Sequence, residues 1–337
     1  MNRLTMGALL AALLGAPAPP QASQAPSRTP VLRAVADLPL PGAAVRFDYQ
    51  SLDLRSDRLY IAHMSAGEIV VVNVKSRRVE ATIRGLPGVT GVWAVPALGR
   101  VYASVSGLHH VAVIDAGTLK VTGRIGNIGF PDGIAYAPDQ QKIYVSDASG
   151  GGELVIDART GRVARTIPLD GEAGNTLYDP GSRCILVAVQ TRHQVYVIDP
   201  ASDRILGRFD LPGGARPHGM AIDAARRRAF VADERNAKVL NVDLRTMKVT
   251  GTVTVGDAPD VLAFDGGWRR LYVASEAGTV SVFTETGTGL VREGDLRLPH
   301  AHTVAVDPRS HLVYLPLQDI GGRPVLRIMA GVPPTGN

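Results

Sequence analysis

The stretch HGMAIDAARRRAFVADERNAKVLNVDL, from His218 to Leu244, decides the fold. Met220 to Asp223, Ala229 to Ala232 and Val239 to Asp243 are apolar or alternate between apolar and polar, which is the pattern of short, well-buried β-strands. The charged runs Ala225-Arg226-Arg227-Arg228 and Asp233-Glu234-Arg235-Asn236 fall between them and read as turns. The segment is thus three short strands in succession.

The same unit recurs along the chain. Its middle strand reappears as Leu59-Tyr60-Ile61-Ala62, Val101-Tyr102-Ala103-Ser104, Ile143-Tyr144-Val145-Ser146, Ile185-Leu186-Val187-Ala188, Ala229-Phe230-Val231-Ala232, Leu271-Tyr272-Val273-Ala274 and Val313-Tyr314-Leu315-Pro316. These seven copies stand 42 residues apart, except for a step of 44 between the fourth and the fifth. A third strand follows each time, closing on Asn73, Asp115, Asp157, Asp199 or Asp243 in the first five copies, where the side chain can accept backbone N–H groups of the next turn. A fourth comes next, as in Val79 to Ile83, Val121 to Ile125, Val163 to Ile167, Ile205 to Phe209 and Val249 to Val253. Four short strands per repeat of this length predict an all-β, seven-bladed propeller of antiparallel blades, and the 3.6-residue pattern of a helical solenoid is absent.

The Tyr-Val-Ala and Val-Ile-Asp motifs at this spacing resemble the YVTN-repeat family of seven-bladed β-propellers, which includes YncE-like periplasmic proteins; the likeness runs from about Val31 to Ile328. The resemblance implies the fold. Relatives of this look include binding proteins and subunits of redox enzymes, and neighbouring propeller families include lactonases and lyases. No family catalytic signature carries over to residues of this chain.

The ends predict how the ring closes. Little chain remains after Ile328 to supply a fourth strand to the last blade, and an open ring would expose an unpaired edge. The segment Val31-Leu32-Arg33-Ala34-Val35-Ala36-Asp37 is a spare strand, so it is expected to pair with Val325 to Ile328. Ahead of it, Arg3, the apolar run Leu4 to Leu14 and the small residues and prolines that follow have the layout of a secretory signal peptide. The expected organisation is a signal peptide over 1–25, the propeller over 26–330 and a tail over 331–337, with a periplasmic or secreted location and no transmembrane segment after cleavage.

Bulk properties agree with a folded exported chain. The 337 residues are 45% hydrophobic and 20% charged, and the mean hydropathy is +0.07. Cys184 is the only cysteine, so the core must hold the fold without an internal disulfide. The formal charge is +5. Arg77-Arg78, Arg226-Arg227-Arg228 and Arg269-Arg270 sit in expected hairpin turns without interleaved aromatics, which fits edge protection and not a nucleic-acid surface. No nucleic-acid partner is expected, and a monomer is.

Propeller geometry brings the start of each first strand to the mouth of the central channel. The equivalent positions are Asp48, Thr90, Asp132, Gly174, His218, Asp260 and His302. Loops after the second strands reach the same face and add His63, Asp147, Asp233, Glu234 and Glu276. Aspartate in such loops is also ordinary turn chemistry, but two histidines are not. The loop before His218 is two residues longer than its counterparts and carries Arg216, which can pair with a ligand carboxylate or phosphate. Trp93 reads as packing or ligand stacking, and His109-His110 and Gly150-Gly151-Gly152 complete no metal or phosphate motif.

Two functional readings stay open on these residues, with a pure protein scaffold as a third. In the first, an exported propeller binds a small molecule, a metal-bound ligand or a protein partner at the mouth, with Arg216, Asp132, Asp233, Glu234 and His63 as ligand-binding candidates. In the second, a divalent ion (Ca, Mg or Zn) held by Asp48, His218, Asp260 and His302 polarises a lactone or carboxylate while His218 or His302 moves the proton. Serine-elbow, HExxH and CxxCH motifs are absent, which removes serine hydrolase, zincin and covalent haem chemistry.

Overall fold

A computed structural model of the chain describes residues 31–333; the expected signal peptide lies outside the described residues, as do residues 334–337 of the expected tail. Seven four-stranded antiparallel sheets stand in a ring, each with its strands in sequence order from the axis outwards. The seventh is the exception in connectivity. Ala305–Val306, Leu312–Leu317 and Val325–Gly331 supply three strands, and Leu32–Pro39 closes the sheet from outside with Leu32 opposite Gly331 and Pro39 opposite Val325. The N-terminal strand therefore closes the ring as the sequence predicts. Arg327 adds a two-pronged ion pair to Asp37, at 2.8 and 2.6 Å.

The second strands are the packing centre of each blade because both of their faces meet neighbours. The repeated aromatic position is fully buried as Tyr60, Tyr102, Tyr144, Phe230, Tyr272 and Tyr314, and removing a side chain of this size from water stabilises by roughly 2 kcal/mol. Basic residues two positions earlier reach across to the next blade. Arg58 donates to Ala116 O at 2.6 Å, Arg100 to Ala158 O at 2.6 Å and Lys142 to Pro200 O at 2.9 Å. Each of these cations clamps the turn between the third and fourth strands of the following blade. The closing acids of the third strands do what their turn position requires: Asp115 Oδ1 accepts from Thr118 N at 2.7 Å and Asp157 Oδ1 from Thr160 N at 2.9 Å.

At the axis the first strands are irregular in a regular way. Their register against the second strands shifts between Val89 and Val92, Pro131 and Ile134, Ala173 and Thr176, Pro217 and Met220, and Pro259 and Val261. Each interruption is a β-bulge, which frees a residue from the ladder and re-aims its side chain. Thr90, Asp132, Gly174, His218 and Asp260 all fall inside these bulges. Among the described residues no helix is long and apolar enough to cross a membrane.

Candidate functional site

The bulges place the ring residues at the mouth, and the glycines beside them let the blades meet there. A Cβ on Gly91 or Gly219 would run into the carbonyl oxygen of Asp132 or Asp260 in the next blade. The strand that carries His218 can therefore pack directly against the one that carries Asp260. Gly174 has a different use, since a Cβ there would stand 2.9 Å from Gln190 Nε2 and 3.0 Å from His218 Nδ1. The missing side chain in blade four makes the space that the blade-five histidine fills.

His218 is the hub of the site. Its Nε2 lies 3.3 Å from Asp260 Oδ1 and 3.2 Å from the Tyr49 hydroxyl, and its Nδ1 meets the side-chain amide of Gln190 with Glu234 Oε1 at 3.8 Å. Burial by itself lowers the His218 pKa. The hydrogen bond to Asp260 and the charges of Asp260, Asp132 and Glu234 outweigh it and lift the value from 6.5 to about 10. His218 is thus an imidazolium that donates from both nitrogens, so the Gln190 amide must turn its oxygen, which otherwise has no partner, towards Nδ1.

The carboxylates around it divide by environment. Burial raises Asp260, but its bond to His218 and the nearby His302 and Arg46 charges bring it below the ordinary value. Burial and the charges of Asp260 and Asp132 push Asp48 well above the carboxylate range. Asp132, only 8% exposed, is raised to about 6, by burial against the opposing charge of His218. The structure therefore brings Asp48, Asp132, His218 and Asp260 into one electrostatic unit, with His302 beside Asp260.

The remaining expected site residues take other positions. Arg216 does reach the mouth, with its backbone at φ +88°, a region non-glycine residues rarely occupy. Its guanidinium is already engaged: Nη1 and Nη2 donate to Glu172 at 2.9 and 2.5 Å and Nε to Glu234 Oε2 at 2.7 Å. Asp233 accepts from Ala215 N at 2.6 Å with both oxygens and so pins the long approach loop, as Asp147 pins its own loop through Gly129 N and Phe130 N. His63 is fully buried, stacked on Phe47 at 4.1 Å and 3.5 Å from Glu68 Oε1, away from the ring cluster. Thr90 turns its hydroxyl to Pro131 O.

Several partners in the site carry no sequence signature. Arg46, in the segment before blade one, donates to Glu276 at 2.5 Å and lies 3.4 Å from Asp260 Oδ2. Tyr49, Gln190 and Glu172 complete the shell. The one available signal is that Tyr49 follows its ring residue where Gly91, Gly133 and Gly219 follow theirs.

Two openings adjoin the cluster. An open depression of about 500 Å³ is lined by Phe130, Asp132, Ser149, Gln190, His218 and Glu234 among others. Below the ring a narrower space of about 110 Å³ runs past Tyr49, Gln50, Trp93 and Asn175. Two side-chain groups, His218–Glu234–Asp260 and Asp260–Glu276–His302, each gather donor atoms within 4.8 Å of one another and could hold a metal ion. In the second group the buried His302 Nε2 has no hydrogen-bond partner.

The fold and the site define a seven-bladed β-propeller with a charged, partly open channel mouth. No protein-family model and no curated protein sequence matches the chain. Among solved structures 1749 chains match, and a propeller fold by itself selects no function. One is a chain of Kuenenia stuttgartiensis hydrazine synthase, which superposes with a TM-score of 0.72 over 83% of this chain and 94% of that one at 15% sequence identity. At that identity the likeness is one of fold.

Proposed function

We propose that the chain is an exported ligand-binding propeller of the YVTN type, acting in the periplasm or outside the cell, which takes a small molecule at the mouth of its central channel. The observation that carries this reading is the cluster around His218. Removing so many charges from water is costly, and a fold that needed only closure would fill these positions with turn residues. The depression beside the cluster is of a size that holds a small ligand. The N-terminal signal pattern supports export.

The test is a thermal-shift screen of metabolite-sized compounds on the wild type and on His218→Ala. A subset of compounds is expected to stabilise the wild type and not the variant. Compounds that stabilise both proteins equally, or none at all, would contradict it.

A second reading has its own observation, the unpartnered Nε2 of His302 beside Asp260 and Glu276. A divalent cation bound there would polarise a substrate carbonyl, and the mouth would then serve a lactonase or lyase. Metal analysis of the purified protein and of His302→Ala, followed by a lactone panel, separates the readings: bound metal with turnover supports the enzyme, and its absence leaves the binding protein.

A further inference from the structure

The depression at the mouth has an unusual charge arrangement that identifies the chemical class of its ligand, on the reading that the mouth binds a small molecule. Its acidic residues are Asp132, Glu172 and Glu234, and its basic ones are Arg216 and His218. Both bases are already matched within the protein. Arg216 is held by Glu172 and Glu234, and His218 faces Asp260. Asp132 shares the His218 charge but has no hydrogen-bond donor: it is more than nine-tenths buried, it lines the depression, and no described residue donates a hydrogen bond to its carboxyl. Its carboxyl faces the space of the depression, so a ligand that enters there can supply the missing donors.

An anionic ligand fits this surface poorly. Its charge would meet three acids, while the arginine that would receive it is held bidentately by Glu172. A bare divalent cation fits Asp132 poorly too, because Asp132 belongs to neither of the two groups whose donor atoms converge. The remaining class is an organic cation with its own hydrogen-bond donors. Glu234 Oε1 offers a second acceptor, since Arg216 uses only Oε2. Phe130, which also lines the depression, is 38% exposed, an apolar ring partly open to solvent at the edge of a charged cavity.

We infer that the ligand of the mouth is an organic ammonium compound with an apolar end, its nitrogen donating to Asp132 and Glu234 and its apolar end lying against Phe130. A rim aromatic and a buried carboxylate together are the two halves of such recognition.

Isothermal titration calorimetry with three matched probes tests this: 2-phenylethylamine, 2-phenylethanol and 3-phenylpropionate. The amine is expected to bind at least about tenfold more tightly than the alcohol. Asp132→Asn keeps the side-chain shape and is expected to remove that preference, while Phe130→Ala is expected to weaken amine and alcohol alike. Equal affinity for amine and alcohol, or an unchanged amine affinity in Asp132→Asn, overturns the inference. If 3-phenylpropionate binds and His218→Ala abolishes that binding, the mouth remains a binding site but not for ammonium. If none of the three binds while the wider screen finds a compound that His218→Ala loses, the ammonium inference falls and the mouth reading stands.

Discussion

His218 holds its charge because of carboxylates from blades six, three and five, Asp260, Asp132 and Glu234, and that dependence is measurable. Its folded pKa of about 10 lies above the 6.5 of the free side chain. A raised pKa stabilises the fold fully below pH 6.5, and the contribution is lost as pH rises towards 10. The shift corresponds to a contribution on the order of 3–5 kcal/mol. Urea unfolding between pH 6 and pH 10.5 is therefore expected to show falling stability in the wild type and a flatter profile in His218→Asn. A flat wild-type profile would mean that the imidazolium is absent. At this scale the sequence was only partly legible. The ring positions follow from the repeat, so Asp48, Asp132, His218, Asp260 and His302 could be placed together by counting. Arg46, Tyr49, Gln190 and Glu172 could not, because each is a single side chain with no counterpart in the other blades. For the same reason Arg216 could be placed at the mouth but not paired, since its partner Glu172 comes from a different blade.

The blades themselves were read from alternation and from the acids that close the third strands, and both signals arise from local chemistry. The bulges in the first strands were not legible. They come from adjacent blades crowding at the axis, which is a tertiary constraint, and their trace in sequence is a glycine after the ring residue in three blades, Gly91, Gly133 and Gly219. The bulge is what turns His218 out of the ladder and into the channel. Gly219→Ala is accordingly expected to force blades five and six apart and to cost about 3 kcal/mol, measured by urea unfolding, with loss of any mouth ligand. Gly251→Ala, where an added Cβ meets nothing, serves as the control and is expected to be near neutral. Similar losses from both substitutions would contradict the close approach at the axis.

Ring closure belongs to the whole molecule, and it was legible because the blade count left one strand short at one end and one spare at the other. Leu32–Pro39 buries Leu32 against blades six and seven and sets Val35, Ala36 and Leu38 against blade one. Deleting residues 31–40 is expected to cost roughly 5 kcal/mol or more, which lowers the melting temperature by about 10 °C; an unchanged melting curve would show that the ring closes without it. Closure also bears on function, since Arg46 and Tyr49 lie in the segment that joins this strand to blade one. Function was the least legible level, as a propeller serves many chemistries and only the contents of its mouth distinguish them. Ligand binding at the mouth is tested most directly by a crystal structure of the protein soaked with a mixed set of small amines, alcohols and carboxylates. Ordered density is expected in the depression between Phe130, Asp132 and Glu234, in contact with Asp132. Density confined to the outer strands, with that depression holding only solvent, would contradict it.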